Sequence, residues 1–475
     1  MSRTITWLHI SDLHAGKPGV EWDAKRVTTT LIADLKRMAS KHGLRPDFIF
    51  FTGDAAFGQI GSHANETLSR QFKIAAEFFN KVRQAFSPRI PIQNIFLVPG
   101  NHDVNRKVVV ESQTSWLDSQ KDPAKITAVI ERGKKSPEWQ RYMKRLGAYR
   151  AFLKANGFHH LLQDPHRLVY HVIRRTKADV DVCIGGFNTA WSCCREKEKS
   201  LLWMGSKWQT AQLDFGLGES GVSIVLMHHS PDWLTEWEAE EFSRDLEREF
   251  KFTLHGHEHD AWVTTNDKGH TRIAAGACYQ RSDKENGYNF VCLNIEEGTG
   301  EVWLRKYEPK GAGWVPCLIA GRTNNDGRWR LTHLPWLRLL RDTPVAREPL
   351  SGGKTRRRGT AGESPSCVDK RKEDVRSSAG AEPRTSVKLR ELPEPLRWGE
   401  IENTIGSEIN ELRVMVREKR IRSKADLDRK YRDVQRNILA LAVHITDDVR
   451  HHLASNWMDI KKDRKGYYLE ISTHQ

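Results

Sequence analysis

No stretch of the 475-residue chain reaches the roughly 18 consecutive apolar residues that a membrane-spanning helix needs, which excludes such a span. Cysteine is scarce: the seven (Cys183, Cys193, Cys194, Cys278, Cys292, Cys317 and Cys367) are odd in number and contain no C-x-x-C. That pattern suits neither a disulfide framework nor a zinc knuckle. The adjacent Cys193 and Cys194 read as two small buried apolar side chains rather than a reactive couple. The amino terminus has no apolar stretch ending in a small-residue cleavage site, so no export signal is expected and the cytoplasm is the expected location. A repeat of fixed period is also missing. Negative charge is in the minority: 61 Asp and Glu stand against 76 Lys and Arg. The net charge of +15 favours anionic partners such as nucleotides or nucleic acid, and no membrane partner is expected.

From about residue 4 to residue 260 short apolar runs alternate with amphipathic stretches, the pattern of strands packed between helices. The runs are 4–10, 48–52, 95–98, 180–187, 222–227 and 252–254, and each ends in polar residues, mostly Asp, His, Asn or Gly. In an open α/β sheet ligands bind at the carboxyl ends of strands, so polar residues placed there converge on one site. Residues 271–275, 288–295 and 301–307 are predicted as antiparallel strands that complete a second sheet, with a turn at Glu296-Glu297-Gly298-Thr299-Gly300.

Helical patterning interrupts the strands between about 105 and 170, with a helix start at Ser136-Pro137-Glu138 and a stop at Gly157. This is expected to be an inserted helical cap beside the sheet edge, either shaping a substrate pocket or serving as a structural helical pair. Residues 342–395 shift to Gly, Ser, Pro, Arg and Lys with almost no aromatic residue, the composition of a basic flexible linker. Its run Lys354-Thr355-Arg356-Arg357-Arg358 reads as solvated charge. Residues 341–475 hold 29 basic and 22 acidic residues, net +7, which leaves +8 for the first 340. Beyond the linker, apolar residues at spacings of three and four (Ile401, Ile405, Ile409, Leu412, Val416, then Leu427 to Val449) predict two amphipathic helices. The division expected is therefore a catalytic domain over 1–341, a linker over 342–395, and a helical association module over 396–475 that binds a protein partner or a second copy of the chain.

The first strand runs into Asp12-Leu13-His14, and alternate residues of an extended segment point the same way, so an oxygen and a nitrogen can reach one cation. The second ends Thr52-Gly53-Asp54, where a carboxylate can bridge two cations. After the third comes Pro99-Gly100-Asn101-His102-Asp103: a neutral amide oxygen, then an imidazole beside a carboxylate that suits proton donation. His228-His229-Ser230-Pro231 and His255-Gly256-His257-Glu258-His259 follow two later runs. Any one cluster is weak. Five strand-end clusters supply enough ligands for two adjacent cations, the arrangement that clamps attacking and leaving oxygens in phosphoryl transfer.

The ordered set Asp12-Leu13-His14, Gly53-Asp54, Gly100-Asn101-His102-Asp103, His228 and Gly256-His257-Glu258-His259 resembles the calcineurin-like metallophosphoesterases, over roughly residues 4–310. The resemblance implies an α/β fold, a two-sheet β-sandwich flanked by helices. It also implies that Asp12, His14 and His259 hold one metal, that Asn101, His228 and His257 hold the other, and that Asp54 bridges them. His102 would then stabilise or protonate the leaving oxygen, with Asp103 orienting it. By similarity to the family's His-x-x-Pro pattern the ligand of the adjacent pair is His228, with His229 as the alternative. Hydroxide held between the two cations would attack phosphorus.

Nitrogen and oxygen ligands without cysteine suit manganese, the working choice, as well as iron, zinc, nickel or cobalt. The expected activity is that of a metal-dependent phosphodiesterase. Two alternatives stand beside it. One is a nuclease on single-stranded or damaged nucleic acid, with Trp191, Trp203, Trp208, Trp233 and Trp237 near the catalytic segments in sequence. The other is a non-catalytic module that recruits a partner through its terminal helices.

Overall fold

A computed structural model describes residues 3–59, 67–213, 221–311, 313–342, 458–463 and 466–471. The chain divides into two units, Met1–Gly353 and Lys354–Gln475. The first unit opens with β1 (Thr4–Ile10), whose β-branched and aromatic residues are buried on both faces. Helix α1 (Glu21–His42) has Glu21 and Asp23 in its first turn and Lys41 and His42 in its last, charges that complement the helix dipole, and Gly43 ends it at φ 68°. Strand β2 (Phe48–Phe51), helix α2 (Leu68–Gln84) and strand β3 (Ile95–Leu97) complete a parallel β1-β2-β3 unit.

Four helices then interrupt the strands: α3 (Glu111–Ser119), α4 (Pro123–Arg132), α5 (Pro137–Lys144) and α6 (Gly147–Ala155). The start of α5 is the one read from the sequence, with Ser136 Oγ accepting from the Trp139 amide at 3.2 Å. Gly157, two residues beyond α6, takes φ 78°, the left-handed conformation that lets the chain turn away. These helices pack on the segment around Trp191: Trp139 and Tyr142 meet that ring at centroid distances of 5.0 and 5.3 Å. The buried Arg145 guanidinium donates to Gln113 Oε1 at 2.7 Å and to the Cys193 carbonyl at 3.3 Å.

The chain returns through β4 (Tyr170–Arg175), β5 (Asp181–Gly186), α7 (Ser206–Gln212), β6 (Gly221–Leu226), α8 (Glu236–Glu249), β7 (Phe252–His255), β8 (Trp262–Thr265) and β9 (Thr271–Ala274). These strands form a sheet in the order β4-β5-β6-β7-β9-β8, parallel through β5, β6, β7 and β9, with antiparallel edges. The last strands of the unit are β10 (Gly287–Asn294), β11 (Thr299–Glu308), β12 (Gly313–Pro316) and β13 (Arg328–Leu331), followed by helix α9 (Pro335–Asp342). The other sheet has the order β12-β11-β10-β1-β2-β3, with β13 also paired to β11. The strands after residue 260, expected as antiparallel strands completing a second sheet, are divided between the two sheets. Strand β9 extends the sheet of β7, while β10 and β11 extend the sheet of β1, because each apolar run pairs with an edge left open by the earlier strands.

The two sheets with their flanking helices make the expected sandwich. Trp7 of β1 lies in its core, 6.1 Å from the Phe50 ring on its own sheet and 5.0 Å from Phe252 on the other. A buried ion pair ties α1 to the outer strands: Arg305 of β11 donates to Asp34 at 2.8 and 2.9 Å, and Tyr288 Oη donates to Asp34 at 2.6 Å. In the second unit the described residues are a hairpin of β14 (Met458–Asp463) and β15 (Gly466–Ile471), where a helical module was expected. The two amphipathic helices read between 401 and 449, and the linker from 343 onward, lie outside the described residues.

Candidate metal centre

Each functional segment leaves the carboxyl end of a parallel strand: Asp12 and His14 after β1, Asp54 after β2, Asn101 after β3, His228 after β6, His257 and His259 after β7. The two sheets lie against each other, so these ends meet at one edge. The loops are laced together by main-chain bonds. The amides of Leu13 and His14 donate to the Asp54 carbonyl at 3.0 and 3.1 Å, and the His257 amide donates to Asp12 Oδ2 at 3.1 Å. Asp12, His14, Asp54, His257 and His259 all have positive φ, between 48° and 73°, five of the eight such non-glycine residues among those described. Left-handed backbone costs a non-glycine residue of order 1–3 kcal/mol, and such outliers cluster where function over-determines the geometry.

The first expected ligand group is assembled: His259 Nε2 is 3.2 Å from Asp12 Oδ1, and His14 Nε2 is 3.6 Å from Asp54 Oδ2. In the second, His228 Nε2 stands 3.0 Å from Asn101 Oδ1, 3.1 Å from His257 Nδ1 and 3.2 Å from Asp54 Oδ2. Asp54 lies between the groups. Close approach there depends on glycine, because a Cβ on Gly100 would collide with Asp54 Oδ1 and one on Gly53 with the His228 ring.

Main-chain carbonyls set the ring orientations. Thr52 accepts from His228 Nδ1 at 2.7 Å and Tyr279 from His14 Nδ1 at 3.1 Å, which leaves each Nε2 lone pair facing inward. Nothing in the sequence marks these partners, since a carbonyl carries no side-chain signature. Trp233, half-buried, sets its ring edge-on to His257 at 4.0 Å and was singled out only as one tryptophan of five. Of the others, Trp191 and Trp203 are core residues, Trp208 is half-buried and Trp237 is exposed.

His229 borders the same cluster, with a ligating nitrogen within 4.8 Å of those of His228 and His257 and its ring 4.5 Å from the His257 ring. The His229 Nδ1 is 3.0 Å from Thr189 Oγ1, and its ligating nitrogen lies within 4.8 Å of one atom each of Cys193 and Glu198. Asp103 departs from its expected part. Its carboxylate accepts from the amides of Gly100 at 2.9 Å, Asp54 at 3.1 Å and Ala56 at 2.9 Å, which fixes the Asp54 loop rather than the His102 ring. The His102 ring is instead held by the Phe57 carbonyl, 2.5 Å from its Nδ1, and its Nε2 faces Asp54 Oδ2 at 3.8 Å.

Burial lowers His102 to about 4 and His257 to about 3. It also lowers His228, but the Asp54 carboxylate overrides burial and raises that imidazole to about 9. Burial works to raise Asp12 and Asp54, yet the surrounding histidines hold both below the usual carboxylate range. Asp103 is pushed up to about 7 by burial and the nearby Asp54 charge. A buried nitrogen that its neighbours pull so strongly toward positive charge, ringed by carboxylate, amide and imidazole lone pairs, is a place a cation fits. Three-residue groups able to hold a metal ion recur through the cluster, including Asp12-His14-His259 and Asp12-Asp54-His228.

The calcineurin-like phosphoesterase family model matches residues 5–261, a span that contains all seven of these residues. This chain belongs to the calcineurin-like phosphoesterase family. As a member it is a metal-dependent phosphoesterase. Among solved structures it is similar to a dimetal phosphatase from Danio rerio, at 10% identity and a TM-score of 0.36, covering 64% of this chain and 96% of that one. It is similar also to a 5'-nucleotidase from Candida albicans, at 12% identity and a TM-score of 0.34, covering 65% of this chain and 53% of that one. Vacuolar Protein Sorting 29 from Cryptosporidium parvum gives 11% identity and a TM-score of 0.28, with 69% of this chain and 96% of that one covered. A search of curated proteins returned no match.

Proposed function

We propose that this phosphoesterase is a two-metal phosphodiesterase in which Asp12, His14 and His259 hold one divalent cation, Asn101, His228 and His257 the other, and Asp54 reaches both. The observation that carries this reading is the meeting of seven nitrogen and oxygen donors from five strand ends, with His228 Nε2 facing Asn101, His257 and Asp54 within 3.2 Å. Two cations bound there would neutralise phosphate oxygens and make a water acidic enough to attack phosphorus near neutral pH.

Asp12, Asp54 and His228 are fully buried, whereas His102 and His259 keep about a fifth of their side chains exposed, so substrate approaches from the face those two rings line. His102 holds Nδ1–H on the Phe57 carbonyl and offers Nε2 to the leaving oxygen. A phosphate anion beside the ring draws a proton onto that nitrogen, against the burial that lowers it in the free protein. Asp103 acts through the main chain of residues 54–56 and holds Asp54 in register.

Among the described residues no Arg or Lys side chain hydrogen-bonds or pairs with any of the seven donors. Bis(4-nitrophenyl) phosphate set against 4-nitrophenyl phosphate, with manganese as the first metal loaded, tests the reading. Faster turnover of the diester supports it, and faster turnover of the monoester makes the protein a phosphatase.

A further inference from the structure

Positive charge in the phosphoesterase unit is concentrated in one place. Residues 105–170 hold 13 Lys and Arg against 6 Asp and Glu, so this helical insertion carries +7 of the +8 found in the first 340 residues. The sandwich around the metal centre is nearly neutral, and the excess has been gathered onto α3 to α6 and the turns between them.

The cations are displayed rather than neutralised. Arg132, Lys134, Lys135, Arg141 and Lys144 are exposed, and none of them makes an ion pair among the described residues. Three clefts on the insertion share them: one is lined by Lys134, Arg141, Lys144 and Arg150, the next by Arg132, Lys135 and Arg141, and the third by Arg132, Lys134 and Lys135. Each cleft shares residues with the other two, so the three adjoin on the insertion's surface. Of the acidic residues lining them, Asp164 is already paired with Arg167 at 2.7 Å, which leaves Glu131 and Glu138 against six cations. Half-buried Trp116 lines the second cleft and offers a ring for stacking. The insertion is tied to the segment beside the metal centre: buried Arg145 donates to the Cys193 carbonyl, and Cys193 lies beside His229.

We infer that this face binds nucleic acid, holding the phosphate backbone of a strand so that the proposed phosphodiesterase site meets a polymeric substrate. The inference rests on that functional reading for its choice of polymer. Cations spread over adjoining clefts match a chain of regularly spaced phosphates better than one phosphate group. A lipid surface would call for apolar side chains to insert, and among the described residues of the insertion only Val110 is a large exposed apolar one.

The test is fluorescence anisotropy with labelled single-stranded and duplex oligonucleotides in EDTA, which separates binding from turnover. The full chain is compared with the Lys134→Gln, Lys135→Gln, Arg141→Gln, Lys144→Gln quadruple variant. Binding should weaken at least about tenfold near 0.1 M salt, and the slope of log affinity against log salt should fall by about 3, as four lost phosphate contacts require. A chain with Lys354, Arg356, Arg357 and Arg358 changed to Gln loses the same charge and should lose less affinity. Equal affinity and slope in the insertion variant would overturn the inference, as would an equal loss in the linker variant or equal competition by polyglutamate at matched charge. If the quadruple variant melts early, the pair Lys134→Glu with Lys144→Glu takes its place. Hydrolysis of the small diester is followed in parallel: oligonucleotide binding that depends on the insertion in a chain without diesterase activity would refute the proposed activity and leave the binding face standing.

Discussion

His228 brings Nε2 to 3.0 Å from the amide oxygen of Asn101, while the next residue, His229, turns its Nδ1 to Thr189 at the same distance. Both rings lie against His257, but His228 Nε2 meets Asn101, His257 and Asp54 within 3.2 Å, whereas His229 keeps its Nδ1 on Thr189. His228→Ala should therefore lose one of two bound metals and about 100-fold or more in turnover, since even outer-shell partners of a metal cost 10–100-fold. His229→Ala should retain both metals. Metal content after loading, measured by mass spectrometry, checks this, and the opposite pattern would move the ligand role to His229.

His102 and Asp103 are neighbours with separable tasks. His102→Ala should slow esters with poor leaving groups by about 100- to 10,000-fold while sparing activated ones, the range that general acids contribute. Asp103→Asn places an amide N–H against main-chain donors, so it should cost about 1–3 kcal/mol of stability and slow all esters alike. A leaving-group series together with melting curves distinguishes the two. Equal losses across the series for His102→Ala would remove its assigned role.

The Asp34–Arg305 pair holds α1 against β11 away from the metal centre. Arg305→Met should destabilise the unit by about 3 kcal/mol or more, because it strips a buried carboxylate of its bidentate partner. Urea unfolding measures this, and a change below about 1 kcal/mol, the worth of a surface pair, would mean that Arg37, which also contacts Asp34, compensates in full.

Trp336, Leu337 and Leu340 of α9 are buried in the core of the first unit, so a truncation has to leave α9 whole. A chain ending at Asp342 should fold and hydrolyse the small diester at a rate within about twofold of the full chain, since no part of the site lies beyond it. A folded truncation without activity would refute the proposed division into a catalytic domain over 1–341, a linker and an association module.

Much of the sandwich is legible in the sequence because its central strands are buried on both faces and read as uninterrupted apolar runs. Strand β1 matches its run of 4–10, and the strands on the next five runs differ from them by one residue at one or both ends. Edge strands β4 and β8 escaped, since Tyr170–Arg175 and Trp262–Thr265 alternate buried and exposed positions over only a few residues. Pairing of the late strands was not legible either, because which open edge an apolar run completes depends on partners hundreds of residues away. At the site, donors carried by side chains were readable as clusters at strand ends. What orients them was not: Thr52, Phe57 and Tyr279 act through carbonyls that any residue would supply. Asp103 misled for a related reason, as adjacency to His102 in sequence says nothing about which main-chain amides fold back onto its carboxylate.

The central claim is that Asp54 joins two cations into one catalytic centre. The most direct measurement is bound manganese per chain together with hydrolysis of bis(4-nitrophenyl) phosphate, for wild type and Asp54→Asn. The account predicts two metals and turnover in the wild type, and in the variant a loss of bound metal with at least about a 100-fold loss of turnover. Wild-type turnover in a folded Asp54→Asn chain, or full activity with a single metal bound, would contradict it.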